Sequence, residues 1–298
     1  MDYGNMIVSS IVLGTLARFW MLKVDYRQYP GYPHGYAVHL SLGFIAASLG
    51  ALALPALLDG DFAAVTFLVL AAKQFSNIRE MERTYLLELE NTELVKRGSA
   101  YVEGIAQVFE ARNYLAMLVA LVASIGVRLF ELPGGIALAI IAALVLQRAM
   151  QGQTVKDIAE VEVVDLEFQG DEGENIAIGD VVLMNVGEEE IKEDWQKLGI
   201  GISIKPKDDN ARATLANKGQ RQAILHDVVS QLGVRLDVGV VGYTPLARLD
   251  LDTGRVYIMI IPIEPDEEFV KKAVENTPVL ESSRRKPLQS EAGRLAAD

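Results

Sequence analysis

Long apolar runs fill the first half of the chain, whereas charged and apolar positions alternate after Gln151. A helix needs roughly 20 residues to cross the hydrocarbon core of a bilayer. The pattern therefore predicts an α-helical membrane bundle of about five spans, at residues 6–22, 36–58, 62–75, 114–130 and 135–146. The third and fifth runs are short, which leaves a full crossing and a tilted or re-entrant element both open.

The distribution of lysine and arginine predicts the orientation, because the cytoplasmic loops of membrane proteins carry the excess of these residues. Basic residues flank alternate loops: Arg18, Lys23, Arg27, Lys73, Arg79, Arg83, Lys96, Arg97, Arg112, Arg148 and Lys156. Acidic turns at residues 59–61 and 131–133 lie on the other side, where Arg128 is the only basic residue. We therefore expect a multi-pass membrane domain at residues 1–150, with the N-terminus outside and everything after Gln151 in the cytoplasm.

Residues 78–112 differ from the runs around them because acidic side chains decorate a helical apolar stripe. The stripe consists of Ile78, Met81, Tyr85, Leu86 and Leu89. We predict a cytosolic helical insertion at 78–112 that continues from Ala100 into the fourth span.

Small residues recur within the first two apolar runs, at Ser10 and Gly14 and at Gly43, Ala47 and Ala51. This spacing lets membrane helices approach closely.

The second half of the chain predicts an α+β domain with a mostly antiparallel sheet, at residues 151–281. Strands are expected at residues 161–168, 175–185, 200–204, 246–251 and 256–263, with a turn at Gly179-Asp180 inside the second of them. Helices are expected at 188–198, 220–232 and 266–274. The polar residues 282–298 are expected to form a disordered tail.

Composition excludes several classes of function. The net charge of −12 argues against a nucleic-acid binder, because neutralising phosphates requires a basic surface. The chain has no cysteine, so it forms no disulfide and has no thiolate metal site. No pattern of metal ligands or phosphate-binding loop is present, and we expect neither a metal nor a cofactor.

A short motif resembles a known family. Tyr101-Val102-Glu103-Gly104-Ile105-Ala106 is similar to the hexapeptide for which the YIEGIA family is named, with valine in place of isoleucine. Members of that family are multi-span membrane proteins of endospore-forming bacteria. The resemblance implies a role in sporulation or in the cell or spore membrane, and it implies no catalytic residue.

The motif also has a physical interpretation of its own. Glu103 and Glu110 are seven residues apart and share one face of a helix, and Gly104 leaves a groove beside them. A buried carboxylate needs a basic partner or a proton, and Arg112 or Arg79 could supply the charge. Two interpretations remain open: an ion-paired helix at the membrane surface, or a site that binds a ligand or handles protons. In either case, we expect Tyr101, Glu103, Gly104, Glu110 and Arg112 to couple the two halves of the chain.

Two features of the second half could carry chemistry. Lys205, Lys207, Arg212, Lys218 and Arg221 form a local basic cluster that could bind an anion, or could be a solvated loop. Asp252-Thr253-Gly254 resembles the signature of aspartic proteases, in which two carboxylates share a proton, so a single copy would require a homodimer. The same residues also suit a hairpin turn. His226 and Asp227 are adjacent on a helix, about 100° apart, and are expected to be structural without a common target.

These observations predict an integral membrane protein whose cytosolic domain binds or regulates partners, and the resemblance to the YIEGIA family implies that it is associated with sporulation. The partners expected are the lipid bilayer, a cytosolic protein and, in one alternative, a second copy of the chain. The alternative function is a membrane-anchored aspartic protease with Asp252 as its catalytic carboxylate. The predicted plan of five spans and a cytosolic domain is similar to that of the membrane-anchored aspartic protease that processes a sporulation sigma factor.

Overall fold

The computed structural model describes residues 3–25, 33–236 and 241–295. Arg27 of the first basic loop and the last three residues of the chain lie outside these ranges. Two compact units are present: a helical unit, Met1–Leu86 with Ile105–Gln151, and a sheet unit, Leu87–Gly104 with Gly152–Asp298. The chain therefore passes from one unit to the other three times, and residues 87–104 belong to the sheet unit although they lie between two apolar helices.

The helical unit contains every apolar run that the sequence predicts to be helical. Its helices are α1 (Gly4–Asp25), α2 (Pro33–Leu58), α3 (Phe62–Leu89) and α4 (Ser99–Ala149). The last three residues of α3 and the first six of α4 belong to the sheet unit. Within the described ranges, three helices are long and apolar enough to cross a membrane: α1, α2 and α4. Helix α3 is not among them, since acidic and basic side chains occupy its second half.

Helix α4 reverses direction near its middle. Phe130 and Glu131 have non-helical backbone angles, and Glu131 has a φ of 57°. A Cβ atom added to Gly126 would lie 2.7 Å from the carbonyl oxygen of Gly134, so the two segments of α4 touch through their glycines. Leu115, Val119, Ala123, Ala139 and Ala143 share one buried cluster. The fourth and fifth predicted runs therefore form two antiparallel helices joined at the predicted acidic turn.

Small residues lie where the helices of this unit approach one another. A Cβ atom on Gly14 would be 2.8 Å from the Cβ atoms of Ala47 and Ala120, and one on Gly50 would be 2.0 Å from the carbonyl oxygen of Met117. The close approach of backbones is the usual reason for such residues in membrane helices. The small-residue pattern in α1 and α2 is thus used for packing within the chain.

The sheet unit is an α+β fold with two antiparallel sheets, as the alternating pattern predicts. The four-stranded sheet has the order β1 (Ala159–Val164), β5 (Ile200–Pro206), β7 (Val256–Ile260) and β6 (Leu246–Leu249). The three-stranded sheet has the order β2 (Glu167–Gln169), β3 (Asn175–Ile178) and β4 (Val181–Asn185). The helices are α5 (Val155–Ile158), α6 (Glu189–Leu198), α7 (Asp209–Leu215), α8 (Lys218–Leu232), α9 (Glu267–Asn276) and α10 (Glu291–Leu295).

Both faces of the four-stranded sheet are buried. Ile202, Ile204 and Ile258 pack with side chains of α8 and α9 on one face. Met259 faces the other way and packs with Trp195 of α6 and with the three-stranded sheet. Successive side chains of a strand point to opposite faces. The nearly continuous apolar run of β7 therefore contributes side chains to the hydrophobic clusters on both faces of the sheet.

Two segments differ from the sequence-based expectation. The single strand expected at 161–168 is two strands, β1 and β2, that belong to different sheets. The segment expected to be a disordered tail contains short 3-10 turns and α10, and its Ser283 is buried and donates a hydrogen bond to Asn217. The backbone of this polar segment donates hydrogen bonds to the side chains of Thr214 and Asn210, about 70 residues earlier in the chain. Such long-range bonds order the segment, and they cannot be predicted from its composition.

Candidate functional site

Residues 87–104 enter the sheet unit through a turn that Glu90 organises. The side chain of Glu90 is buried, and its carboxylate accepts hydrogen bonds from the backbone N–H groups of Arg97 (3.1 Å) and Gly98 (2.8 Å). The Arg97 guanidinium lies 3.6 Å from Glu90 and 3.1 Å from Glu93. Gly98 has a φ of +86°, which favours glycine. This turn leads directly into the first residues of α4.

Helix α8 holds the segment that follows the turn. His226 Nδ1 donates to the carbonyl oxygen of Val95 at 2.7 Å, and Gln222 Nε2 donates to that of Lys96 at 2.5 Å. The side chain of Val95 packs against the core between the sheet and α8. A Cβ atom on Gly219 would lie 2.7 Å from that of Ala100, so glycine at this position lets α8 and the start of α4 approach closely. The connection between α3 and α4 is therefore part of the sheet unit's fold.

Tyr101, the first residue of the hexapeptide, joins the same interface. Its hydroxyl donates a 2.8 Å hydrogen bond to Asp227, and its ring packs edge-on against His226 at 6.1 Å between centroids. Only 7% of Tyr101 is exposed. The expectation that His226 and Asp227 have no common target is wrong, because residues 95–101 follow α8 closely enough to meet both side chains.

The remaining residues of the motif are divided between the two units. Glu103 and Gly104 are half-buried in the sheet unit, whereas Glu110 and Arg112 belong to the helical unit. Glu110 accepts a hydrogen bond from Ser76 at 3.0 Å and pairs with Arg79 at 3.4 Å. Arg79, one of the two candidate cations, therefore contacts Glu110.

The helical unit also buries a polar group. Arg18 is fully buried, and its guanidinium lies 3.1 Å from Nδ1 of His39 and donates to Asn113 at 3.4 Å. Phe109 packs against both Arg18 and His39. Polar side chains inside apolar helices are costly in lipid, so this group is a candidate for function as well as for helix packing.

The basic residues predicted to bind an anion do not share one site. Lys205 pairs with Glu160 at 3.3 Å on the sheet. Lys207 donates to the carbonyl oxygen of Lys156 at 2.6 Å, and Arg212 donates to the carbonyl oxygens of the β6–β7 turn at 3.1 Å. Lys218 and Arg221 lie in the first turn of α8, where burial lowers the pKa of Arg221. Different elements hold these side chains, and Lys207 alone among them lines a polar cleft of about 370 Å³.

Asp252 lies in the exposed turn between β6 and β7. Its backbone N–H donates to the carboxylate of Asp250 at 3.0 Å, and the Thr253 hydroxyl donates to the same carboxylate. The hydrogen bond from Thr253 is the main cause that lowers the pKa of Asp250. Gly254 completes the turn with a φ of +72°. The neighbouring Asp250, which sequence reasoning did not single out, is thus the carboxylate that organises this turn.

Comparison with known proteins gives the relationship of the whole chain. A family model described as YIEGIA protein matches residues 6–290, which include both units and the hexapeptide. The uncharacterized protein YphB of Bacillus subtilis (strain 168) is 41% identical over 288 residues, covering 97% of this chain and 96% of that protein. No solved structure matches the chain significantly. Since the family model covers nearly the full length, the chain belongs to the YIEGIA protein family.

Proposed function

We propose that this chain is a multi-span membrane protein of endospore-forming bacteria whose C-terminal domain binds and regulates a cytosolic protein during sporulation. Three apolar helices of sufficient length support the membrane assignment. A relative from an endospore-forming bacterium supports the setting. The reversal within α4 divides this helix into two candidate spans, so the proposal of five spans requires that the apolar first half of α3 also crosses. Five spans, with the N-terminus outside and the sheet unit in the cytoplasm, agree with the distribution of basic residues.

The main support for this proposal is that residues 87–104 belong to the sheet unit. They connect two apolar helices, yet they fold with α8 and bring Tyr101 to Asp227. Tyr101 lies in the first turn of α4, whose later residues form the long apolar run. A partner that alters α8 would therefore act on the beginning of a membrane helix through direct hydrogen bonds, and no enzymatic step is needed for such a signal.

The proposal can be tested in Bacillus subtilis by deleting the gene for the relative and then supplying a gene for this chain. We expect its deletion to lower the yield of heat-resistant spores and this chain to restore that yield. Glu103→Gln should reduce the yield without lowering the amount of membrane-inserted protein, because it removes a charge of the motif. Asp252→Asn is the matched carboxylate control and should restore the yield fully, since asparagine supports the same turn.

Two outcomes count against this account. Spore yield unchanged by the deletion would remove sporulation from the proposal. An abundant Asp252→Asn protein without function would instead favour proteolysis, because that change removes the carboxylate that activates water in an aspartic protease.

A further inference from the structure

The cleft of about 370 Å³ in the sheet unit carries an excess of positive charge within an acidic chain. Its cations are Lys207 and three consecutive residues of the C-terminal segment, Arg284, Arg285 and Lys286. Only two carboxylates, those of Asp157 and Asp208, line the same cleft. The electrostatic potential inside the cleft therefore favours an anion, in contrast to the net charge of −12 for the whole chain.

Both carboxylates are already engaged in local hydrogen bonds. Asp157 accepts from the backbone N–H of Thr154 at 2.7 Å and from its hydroxyl at 3.0 Å, and the backbone hydrogen bond is the main cause that lowers the pKa of Asp157. Asp208 accepts from the backbone N–H of Ala211 at 2.7 Å, as the N-cap of α7. Both carboxylates therefore accept hydrogen bonds from neighbouring backbone and hydroxyl donors, and the cationic side chains of the cleft are not among these donors.

The cations retain hydrogen-bonding capacity. Within the described part of the chain, the exposed side chains of Arg284 and Lys286 make no ion pair and no hydrogen bond. Arg285 uses one guanidinium nitrogen to donate to the carbonyl oxygens of Ser282 and Arg284, at 2.9 and 3.0 Å. Among the described residues, Lys207 donates to the carbonyl oxygens of Lys156 and Asp157, at 2.6 and 3.4 Å. Guanidinium and ammonium groups with free donors bind phosphate oxygens strongly.

Bonds to α7 hold the C-terminal segment in place. Arg285 donates its backbone N–H to the hydroxyl of Thr214 at 3.1 Å, and Leu288 donates its backbone N–H to Asn210 at 3.0 Å. These bonds fix the backbone that bears the three cations before any ligand arrives. Such preorganisation lowers the entropic cost of binding.

We propose that this cleft binds the phosphate group of a ligand no larger than a nucleotide. The volume lies at the lower end of the range for small-molecule sites, which matches a ligand of this size. A phosphate group offers several acceptor oxygens to the two guanidinium and two ammonium groups of the cleft, and such charge-assisted hydrogen bonds are strong. The inference does not depend on the proposed role in sporulation, since it concerns the sheet unit alone.

Isothermal titration calorimetry on the full chain in detergent tests the proposal, with pyrophosphate and adenosine monophosphate as probes. Saturable binding is expected for at least one probe, and Arg284→Gln with Lys286→Gln should weaken it by about tenfold or more. Lys197→Gln with Lys272→Gln is the control, because it removes the same charge from exposed lysines that pair elsewhere. This control should change the affinity by less than about twofold.

Repeating the titration in nanodiscs of phosphatidylcholine, with and without phosphatidylglycerol, distinguishes the phosphate of a lipid headgroup from that of a soluble ligand. Competition by phosphatidylglycerol would identify a lipid headgroup, and unchanged affinity would identify a soluble ligand. Absence of saturable binding by both probes, in detergent and in phosphatidylcholine, would overturn the proposal. Equal loss of affinity in the two double variants would also overturn it.

Discussion

Glu90→Ala should lower the free energy of unfolding of the sheet unit by about 2–3 kcal/mol, the cost of leaving buried groups without their charged partner. The Glu90 carboxylate accepts hydrogen bonds from two backbone N–H groups and lies beside the guanidinium of Arg97, whose side chain is only 17% exposed. Its removal should release residues 95–101 from α8. Chemical unfolding in detergent, followed by Trp195 fluorescence in a Trp20→Phe background, measures the change because Trp195 is buried in the sheet unit.

Glu93→Ala is the matched control for this measurement. Glu93 pairs with the same arginine, but its side chain is 33% exposed and it accepts no backbone hydrogen bond among the described residues. Partly exposed ion pairs contribute about 0.2–1 kcal/mol. Equal destabilisation by the two variants would show that Glu90 has no special role in the turn.

Gly50→Val should destabilise the helical unit by about 3 kcal/mol or more, which is the upper range for inserting atoms into a packed interior. A Cβ atom at this position would lie 2.0 Å from the carbonyl oxygen of Met117, and this neighbour is backbone. Helices α2 and α4 would have to separate over several residues. Loss of helical signal on heating in detergent, measured by circular dichroism, should occur at a clearly lower temperature.

Ala37→Val provides the comparison for Gly50→Val. It introduces the same side chain on the same helix, at an exposed position. Its transition temperature should stay close to that of the unmodified protein, since surface changes usually remain within about 0.5 kcal/mol. Similar transition temperatures for the two variants would contradict the close packing of α2 against α4.

Periodic patterns predicted the elements of this fold well. Residues 175–185 illustrate this, because the expected turn at Gly179-Asp180 separates β3 from β4. The acidic turn at residues 131–133 likewise coincides with the reversal in α4. In both cases the information is local: hydrophobic period and turn residues lie within a few positions of each other.

Long-range contacts could not be predicted from the sequence, because the patterns that predict helices, strands and turns are local. Tyr101 and Asp227 are 126 residues apart, and their hydrogen bond leaves no trace in either local pattern. The cleft was also missed, because Lys207 meets Arg284 and Lys286 only after the C-terminal segment has folded onto α7. Local charge density therefore selected Lys205 and Arg212, which have other partners in the folded chain.

The place of residues 87–104 in the sheet unit can be tested most directly by cross-linking. The chain has no cysteine of its own, so Ala100→Cys with Gly219→Cys introduces a single pair. Their Cβ positions are 2.7 Å apart, and a shift of about 1 Å gives disulfide geometry. Ala100→Cys with Gly152→Cys is the control, since nothing lies within 4 Å of a Cβ atom at Gly152. Mild oxidation of the full chain in membranes, with mass spectrometry of the peptides, should find the disulfide in the first pair and none in the control. Free thiols in the first pair, in protein that is otherwise folded, would contradict the account.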